Sequence, residues 1–282
     1  MRAEQITPSI TYHGEGPVWS ESWGGLRFVD MLAGDILTLA DTGSVTREHV
    51  GAVAAVVRPR RGGGAVIGLE RGFGLQAPDG SVQALAELWS APDIRMNEGG
   101  CDPDGRFYCG SMAYDKRQGA GKVYRLDPDL STRIVLEDVT ISNGLEWSPD
   151  GALAYYNDTP TGRIAVFDYD RDAGLTGRRT FVEIPDGHGH PDGLTVDADG
   201  GVWTALYGSG TVHRYSPEGK LDEVIEVGPK QVTACTFGGA GLDELFITTS
   251  REELAPDEQP QAGALFRAKV GVTGMPVRPF AG

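Results

Sequence analysis

One short phrase of sequence returns along the whole chain, and the spacing of its copies restricts the fold more than any other feature. Its clearest copy is residues 141–151, I-S-N-G-L-E-W-S-P-D-G: a polar lead-in ending at Asn143, a strand-like run at 145–147, and a tight S-P-D-G turn. Residues 190–200, H-P-D-G-L-T-V-D-A-D-G, repeat it with Asp192 in the place of Asn143, and G-E-G-P-V-W-S near the start repeats it with Glu15 there. Five residues before the openers of six such turns (Ser20, Arg58, Asp102, Ser148, Asp197 and Gly238) stand Glu15, Val53, Asn97, Asn143, Asp192 and Thr233. Each copy leads into further short apolar runs bounded by Gly, Pro, Asn and Asp, the signature of strands joined by tight turns. Anchors in the second run of each unit (Phe28, Val66, Phe107, Ala154, Val202 and Leu245) are separated by 38, 41, 47, 48 and 43 residues. Six units at that spacing predict an all-β chain, a six-bladed β-propeller of four-stranded antiparallel blades around a central channel.

Composition agrees. Gly 41 and Pro 17 make up about a fifth of the 282 residues, well above the roughly 12% average for the pair, and nearly every Gly falls between apolar runs. No long window has helical periodicity; the ambiguous run at 82–89, V-Q-A-L-A-E-L-W, falls where an outer strand is due. With no linker or compositional break, residues 1–282 read as a single domain. The last unit is short of strands, so the segment 5–12 is expected to supply its outermost one and close the ring.

The net charge of −15, with no basic block beyond residues 58–61, argues against nucleic acid, whose affinity depends on neutralising phosphates. Three cysteines, Cys101, Cys109 and Cys235, form no C-x-x-C and read as reduced, small apolar fillers. The opening M-R-A-E-Q-I-T-P lacks a signal-peptide core, and no apolar run approaches membrane-spanning length. These features predict a cytoplasmic protein, without a nucleic-acid or membrane partner, that is a monomer or weak homo-oligomer.

In a propeller the first strand of each blade lines the channel, so the six register positions ring one of its ends. Four of the six carry carboxylate or carboxamide oxygens: carboxylates at Glu15 and Asp192, carboxamides at Asn97 and Asn143. A lone Asp or Asn before Gly more often shapes a turn; Glu15, Asn143 and Asp192 in one register, with Val53 and Thr233 showing that the register does not require an acid or amide, point to a shared ligand. Carboxylates crowded together lose hydration and repel, and a cation relieves both costs. All-oxygen ligation suits Ca²⁺, Mg²⁺ or Mn²⁺ best, with Zn²⁺ also open. No His–Cys cluster competes, and His188 and His190 read as loop residues beside Asp192.

The segments G-E-G-P-V-W, R-M-N-E-G-G-C-D-P-D-G-R-F-Y-C-G-S-M, I-S-N-G-L-E-W-S-P-D-G and P-D-G-L-T-V-D-A-D-G-G-V-W-T-A together resemble the SMP-30/gluconolactonase/luciferin-regenerating-enzyme family, over nearly the whole chain and in family order. The resemblance implies a propeller that hydrolyses sugar lactones with one divalent metal ion. It places Glu15, Asn143 and Asp192 on the family's metal-ligand positions and Arg95 and Asn97 on its substrate-contacting ones. Met96 and Glu98 depart from the usual Phe and Asp around that Asn. In the loop A-Y-D-K-R-Q-G-A-G, Asp115 or Lys116 stands near where some members place a substrate-binding Glu, and Asp115 is taken as the third substrate contact. Asp192 is the expected catalytic base, with Glu15 its rival. No G-x-S-x-G or Ser–His–Asp pattern suggests an acyl-enzyme. The alternatives are a non-catalytic calcium-binding propeller, an interaction scaffold, and a lactonase or esterase acting on a non-sugar ester. The charged loops 113–121 and 251–261 favour a polyhydroxylated substrate, and Trp19, Trp147 and Trp203, all placed in strands, count against a scaffold.

Overall fold

The computed structural model describes residues 1–40 and 42–282. Among these, the strands form six four-stranded antiparallel sheets, the blades of a β-propeller. The innermost strands are Gly14–Ser20, Ala54–Pro59, Ile94–Cys101, Ser142–Trp147, His190–Val196 and Val232–Gly238. Five sheets follow chain order. The sixth runs Glu4–Gln5, Phe266–Lys269, Glu244–Thr249, Val232–Gly238, so the amino-terminal segment supplies its outer strand as expected. The donated strand is only Glu4–Gln5, pairing with Arg267 and Phe266; through residue 11 the segment continues as separate bonds from Ile6 to Leu265 and from Ile10 and Thr11 to Gly263.

All six second-strand anchors fall in second strands, but the pairing register refines two of them. Trp147 pairs with Ala154 and Cys101 with Phe107, whereas Trp19 pairs with Leu26 and Val57 with Ile67. Leu26 and Ile67 are therefore the true counterparts, not Phe28 and Val66. Of the run 82–89, only Val82–Ala84 is strand; beyond it Leu85, Leu88 and Trp89 fold back onto the core, and Trp89 stacks on Tyr124 with centroids 5.1 Å apart.

Both faces of each blade are apolar because each is sandwiched between two neighbours. Tyr108, Trp147 and Tyr156 share one interblade cluster; Trp203, Val232 and Phe266 share another. Trp19 of the first blade stacks on Phe246 of the last, centroids 5.7 Å apart, which seals the ring. The three cysteines are free and buried, and the pairings Cys101–Phe107 and Gly99–Cys109 keep the first two apart. No helix among the described residues is long and apolar enough to cross a membrane.

A second closure had no sequence signal. The carboxy-terminal tail crosses the face where the inner strands end: Ala198 donates to Thr273, Arg278 to Ser148, and Phe280 to Pro59, while Ala281 donates to Gly105. Phe280 is fully buried in a cluster drawn from the first three blades. Phe280→Leu should cost about 1–2 kcal/mol by loss of buried surface and residual void, read as a lower denaturation midpoint at unchanged m-value.

Candidate metal centre and substrate cavity

Every innermost strand carries an irregularity in its pairing at, or in the second blade just after, the register position picked out by the repeat. The shifts lie between Glu15 and Val18, Ala54 and Val56, Met96 and Gly99, Ser142 and Leu145, Pro191 and Leu194, and Val232 and Ala234. A bulge re-aims a side chain out of the alternating pattern, which is how polar groups come to face the channel mouth from strands that are otherwise apolar. The glycines that follow have a packing reason. A Cβ on Gly144 would lie 2.5 Å from the Leu194 backbone nitrogen, and one on Gly193 would lie 2.4 Å from Ala234 Cβ. Adjacent inner strands touch there, just below the ring of oxygens.

Glu15, Arg95, Asn97, Asn143 and Asp192 all line one cavity of about 250 Å³ at this mouth. All five are buried. Asp115 is not among the lining residues. Its side chain is exposed and accepts from Arg117 Nη1 at 2.9 Å, while Arg117 also binds Asp93 at 2.6 Å. The pair holds the turn from outside, and Lys116 is the residue of this loop that borders the cavity.

The amides are held in order. Arg95 Nη1 donates to Asn97 Oδ1 at 2.6 Å and to the Met96 carbonyl at 3.0 Å. Asn97 Nδ2 donates to the Ser142 carbonyl at 2.7 Å and to Asn143 Oδ1 at 3.2 Å. Asn143 Nδ2 donates to Thr159 Oγ1 at 2.8 Å, and that hydroxyl donates to the Pro191 carbonyl at 2.9 Å. With its nitrogen committed to Thr159, Asn143 presents its oxygen inward. Glu15 Oε2 accepts from Gly16 N–H at 3.1 Å, and the Asp192 carbonyl accepts from Asn157 at 2.6 Å. Asp192 Oδ1 is buried with no partner.

Electrostatically, the cluster is short of positive charge. Burial pushes the Glu15 carboxyl well above the usual carboxylate range, and Glu98 pushes it further. Burial does the same to Asp192, followed by the charges of Glu15 and Glu98. Burial, with Arg95 and Lys116 nearby, lowers His13 to about 3, so it is neutral and offers no counter-charge. A divalent cation fits this donor set: two carboxylates that repel each other, an oriented amide oxygen, and an orphaned Asp192 oxygen that a ligand would satisfy. The Thr159 and Asn97 contacts would fix Asn143 as outer-shell partners do.

Besides Lys116, the alternative to Asp115, the remaining lining was not foreseen: His13, Met112, Ile141, Thr159, Pro160, Tyr207 and Glu252, with His190 as the first residue of a strand, not a loop. His13 Nδ1 bonds Ser250 Oγ at 2.8 Å and lies 3.6 Å from Glu252. Lys116, Thr159, Pro160, Tyr207 and Glu252 all come from the end of a second strand or the connection after it, and that connection shares a face with the inner-strand entrances. Counting forward from each second strand would have found them.

Fold and site together define a six-bladed propeller with a buried cluster of carboxylate and carboxamide oxygens at one mouth of its channel. A family model described as the SMP-30/gluconolactonase/LRE-like region matches residues 13–251, and the chain belongs to that family. It is 34% identical over 296 residues to regucalcin of Oryctolagus cuniculus, covering 100% of this chain and 99% of that one. Its fold superposes on a crystal structure described as a calcium-binding protein, regucalcin from Agrobacterium tumefaciens, with TM-score 0.92 and 28% identity, covering 99% of this chain and 96% of the other. A gluconolactonase from Xanthomonas campestris gives TM-score 0.75 at 25% identity, covering 93% and 87%.

Proposed function

We propose that this protein hydrolyses a sugar lactone to the aldonic acid, with Glu15, Asn143 and Asp192 holding one divalent cation. The observation that carries the reading is the convergence of these three side chains from three blades on one cavity, with Asp192 Oδ1 unpartnered. When bound, the cation would act as a Lewis acid on the lactone carbonyl. Asp192, with one carboxylate oxygen on the cation, would take a proton from the attacking water through the other and return it to the ring oxygen as the acyl C–O bond breaks. Glu15 is the weaker candidate for that transfer, because Oε2 already accepts from Gly16 and Oε1 lies 3.9 Å from His13. Asn97 and Arg95 orient the carbonyl-bearing end of the substrate, Arg95 also through the bond that locks Asn97. The cavity suits a monosaccharide, with Met112, Ile141 and Pro160 against its C–H surface and polar groups on the other sides.

The test is proton release from a panel of aldonolactones after chelation and after restoring each metal. Metal-dependent release is expected; tight Ca²⁺ binding with no release from any lactone would assign the cluster a purely binding role, like that in the description of the Agrobacterium relative.

A further inference from the structure

Loop 113–121 turns a cation, not a carboxylate, toward the cavity. Lys116 has φ 59°, one of five non-glycine residues with positive φ among the described residues, and Glu253 across the mouth is another at φ 60°. Left-handed backbone is strained for such residues and persists where surrounding structure demands it. Here the turn is pinned on both sides of Lys116. Tyr114 OH donates to Glu70 at 2.8 Å, and Arg117 is held by Asp115 and Asp93. With its neighbours tied outward, Lys116 is the one that borders the cavity.

The third and sixth blades stand opposite each other in a ring of six, so the contact of Lys116 Nζ with Glu253 Oε1 at 3.7 Å spans the mouth. It is longer than a hydrogen bond and joins side chains 48% and 76% exposed, so it is worth under about 1 kcal/mol and exchanges readily for a better partner. The charge inventory says what that partner is. Glu15 and Asp192 balance a divalent ion charge for charge. Of the remaining lining, Arg95 and Lys116 are cationic, Glu252 is anionic, and His13 is neutral. Once the cation is bound, the lining thus keeps one positive charge, offset only by the loosely held Glu253 outside it.

We propose that Lys116 determines specificity by pairing with a second, ionised carboxylate on the substrate, making a lactone of a sugar diacid the preferred class. Glu253 holds the ammonium over the mouth until the substrate carboxylate replaces it. The inference rests on the lactonase reading above.

The test compares kcat/KM of the Mn²⁺-loaded protein at pH 7 for D-glucaro-1,4-lactone and D-glucono-1,4-lactone, which share a ring size and differ in one carboxylate. The acidic lactone should be favoured by about tenfold or more in low salt, less so in 1 M salt, where such attractions are screened. Lys116→Glu should cut the ratio at least about tenfold, and Glu253→Gln should raise it. A wild-type ratio of one or below, or a ratio unmoved by Lys116→Glu, overturns the proposal. Calorimetric binding of glucarate and gluconate to the same loaded proteins separates the two readings. If no lactone is opened yet glucarate binds more tightly, and Lys116→Glu erases the difference, the lactonase reading falls and the assignment of Lys116 stands. If glucarate binds no more tightly than gluconate, the assignment falls whatever the lactones do.

Discussion

Asp192→Asn is expected to lower lactone hydrolysis by about 10³-fold or more while leaving the propeller folded, and Glu15→Gln to do the same. Loss of a general base alone typically removes 10²–10⁴ in rate, and each substitution also removes one of the two negative charges proposed to hold the cation. Neither change opens a void, since the amides are close in volume to the acids they replace. Both variants also relieve carboxylates that burial and mutual charge disfavour. The melting temperature in chelator should therefore stay at or above that of the wild type. Proton-release kinetics and paired thermal melts check both halves. Activity within about tenfold of wild type in either variant would remove the proposed mechanism.

The second large effect is on stability against pH. Glu98 lies deeper in the channel, fully buried, with Oε2 unpartnered, and burial raises its pKa from 4.5 to about 7, against an opposing pull from Arg58. Glu15 and Asp192 shift in the same direction. An acid whose folded pKa exceeds its unfolded value binds more protons in the native state. Its neutral form is fully compatible with folding below about pH 4.5, and the penalty grows as pH rises through the folded value. Chelated protein should accordingly lose stability between pH 4.5 and pH 7 and beyond, on the order of 3 kcal/mol from Glu98 alone. Glu98→Gln should flatten that slope. Divalent cation should restore more as pH rises, because protons compete with it for the Glu15 and Asp192 carboxylates. Melts that rise across this window in chelator would contradict the account.

The blade count and the inner-strand positions were legible because both follow from a repeat. A bulge at the same register in every blade makes the distance to the next turn constant, so Glu15, Asn97, Asn143 and Asp192 could be counted out. Two second-strand anchors slipped because apolar residues abound there and composition does not mark which one faces Trp19 or Val57. Loop residues were harder to place. Asp115 and Lys116 are adjacent and both charged, and only the outward pairing of Asp115 with Arg117 decides which one meets the cavity. Glu252 and His13 come together from distant parts of the chain, with Ser250 between them, and no local pattern announces that. The tail's course over the far face depends on scattered backbone bonds and one buried ring, Phe280, with no periodicity to reveal it.

The pairing of Glu4–Gln5 with Phe266–Lys269 has a consequence for how the chain matures. A strand made before the first blade waits for one made after the fifth, so a nascent chain emerging from the ribosome can assemble five blades ahead of the sixth. Until then it carries open sheet edges that invite pairing with other chains. Such distant partners also make the final step slow, because loop-closure entropy is spent before their contacts form. The interval between synthesis of the fifth blade and docking of that two-residue strand is where this protein is most exposed to aggregation and to chaperone capture.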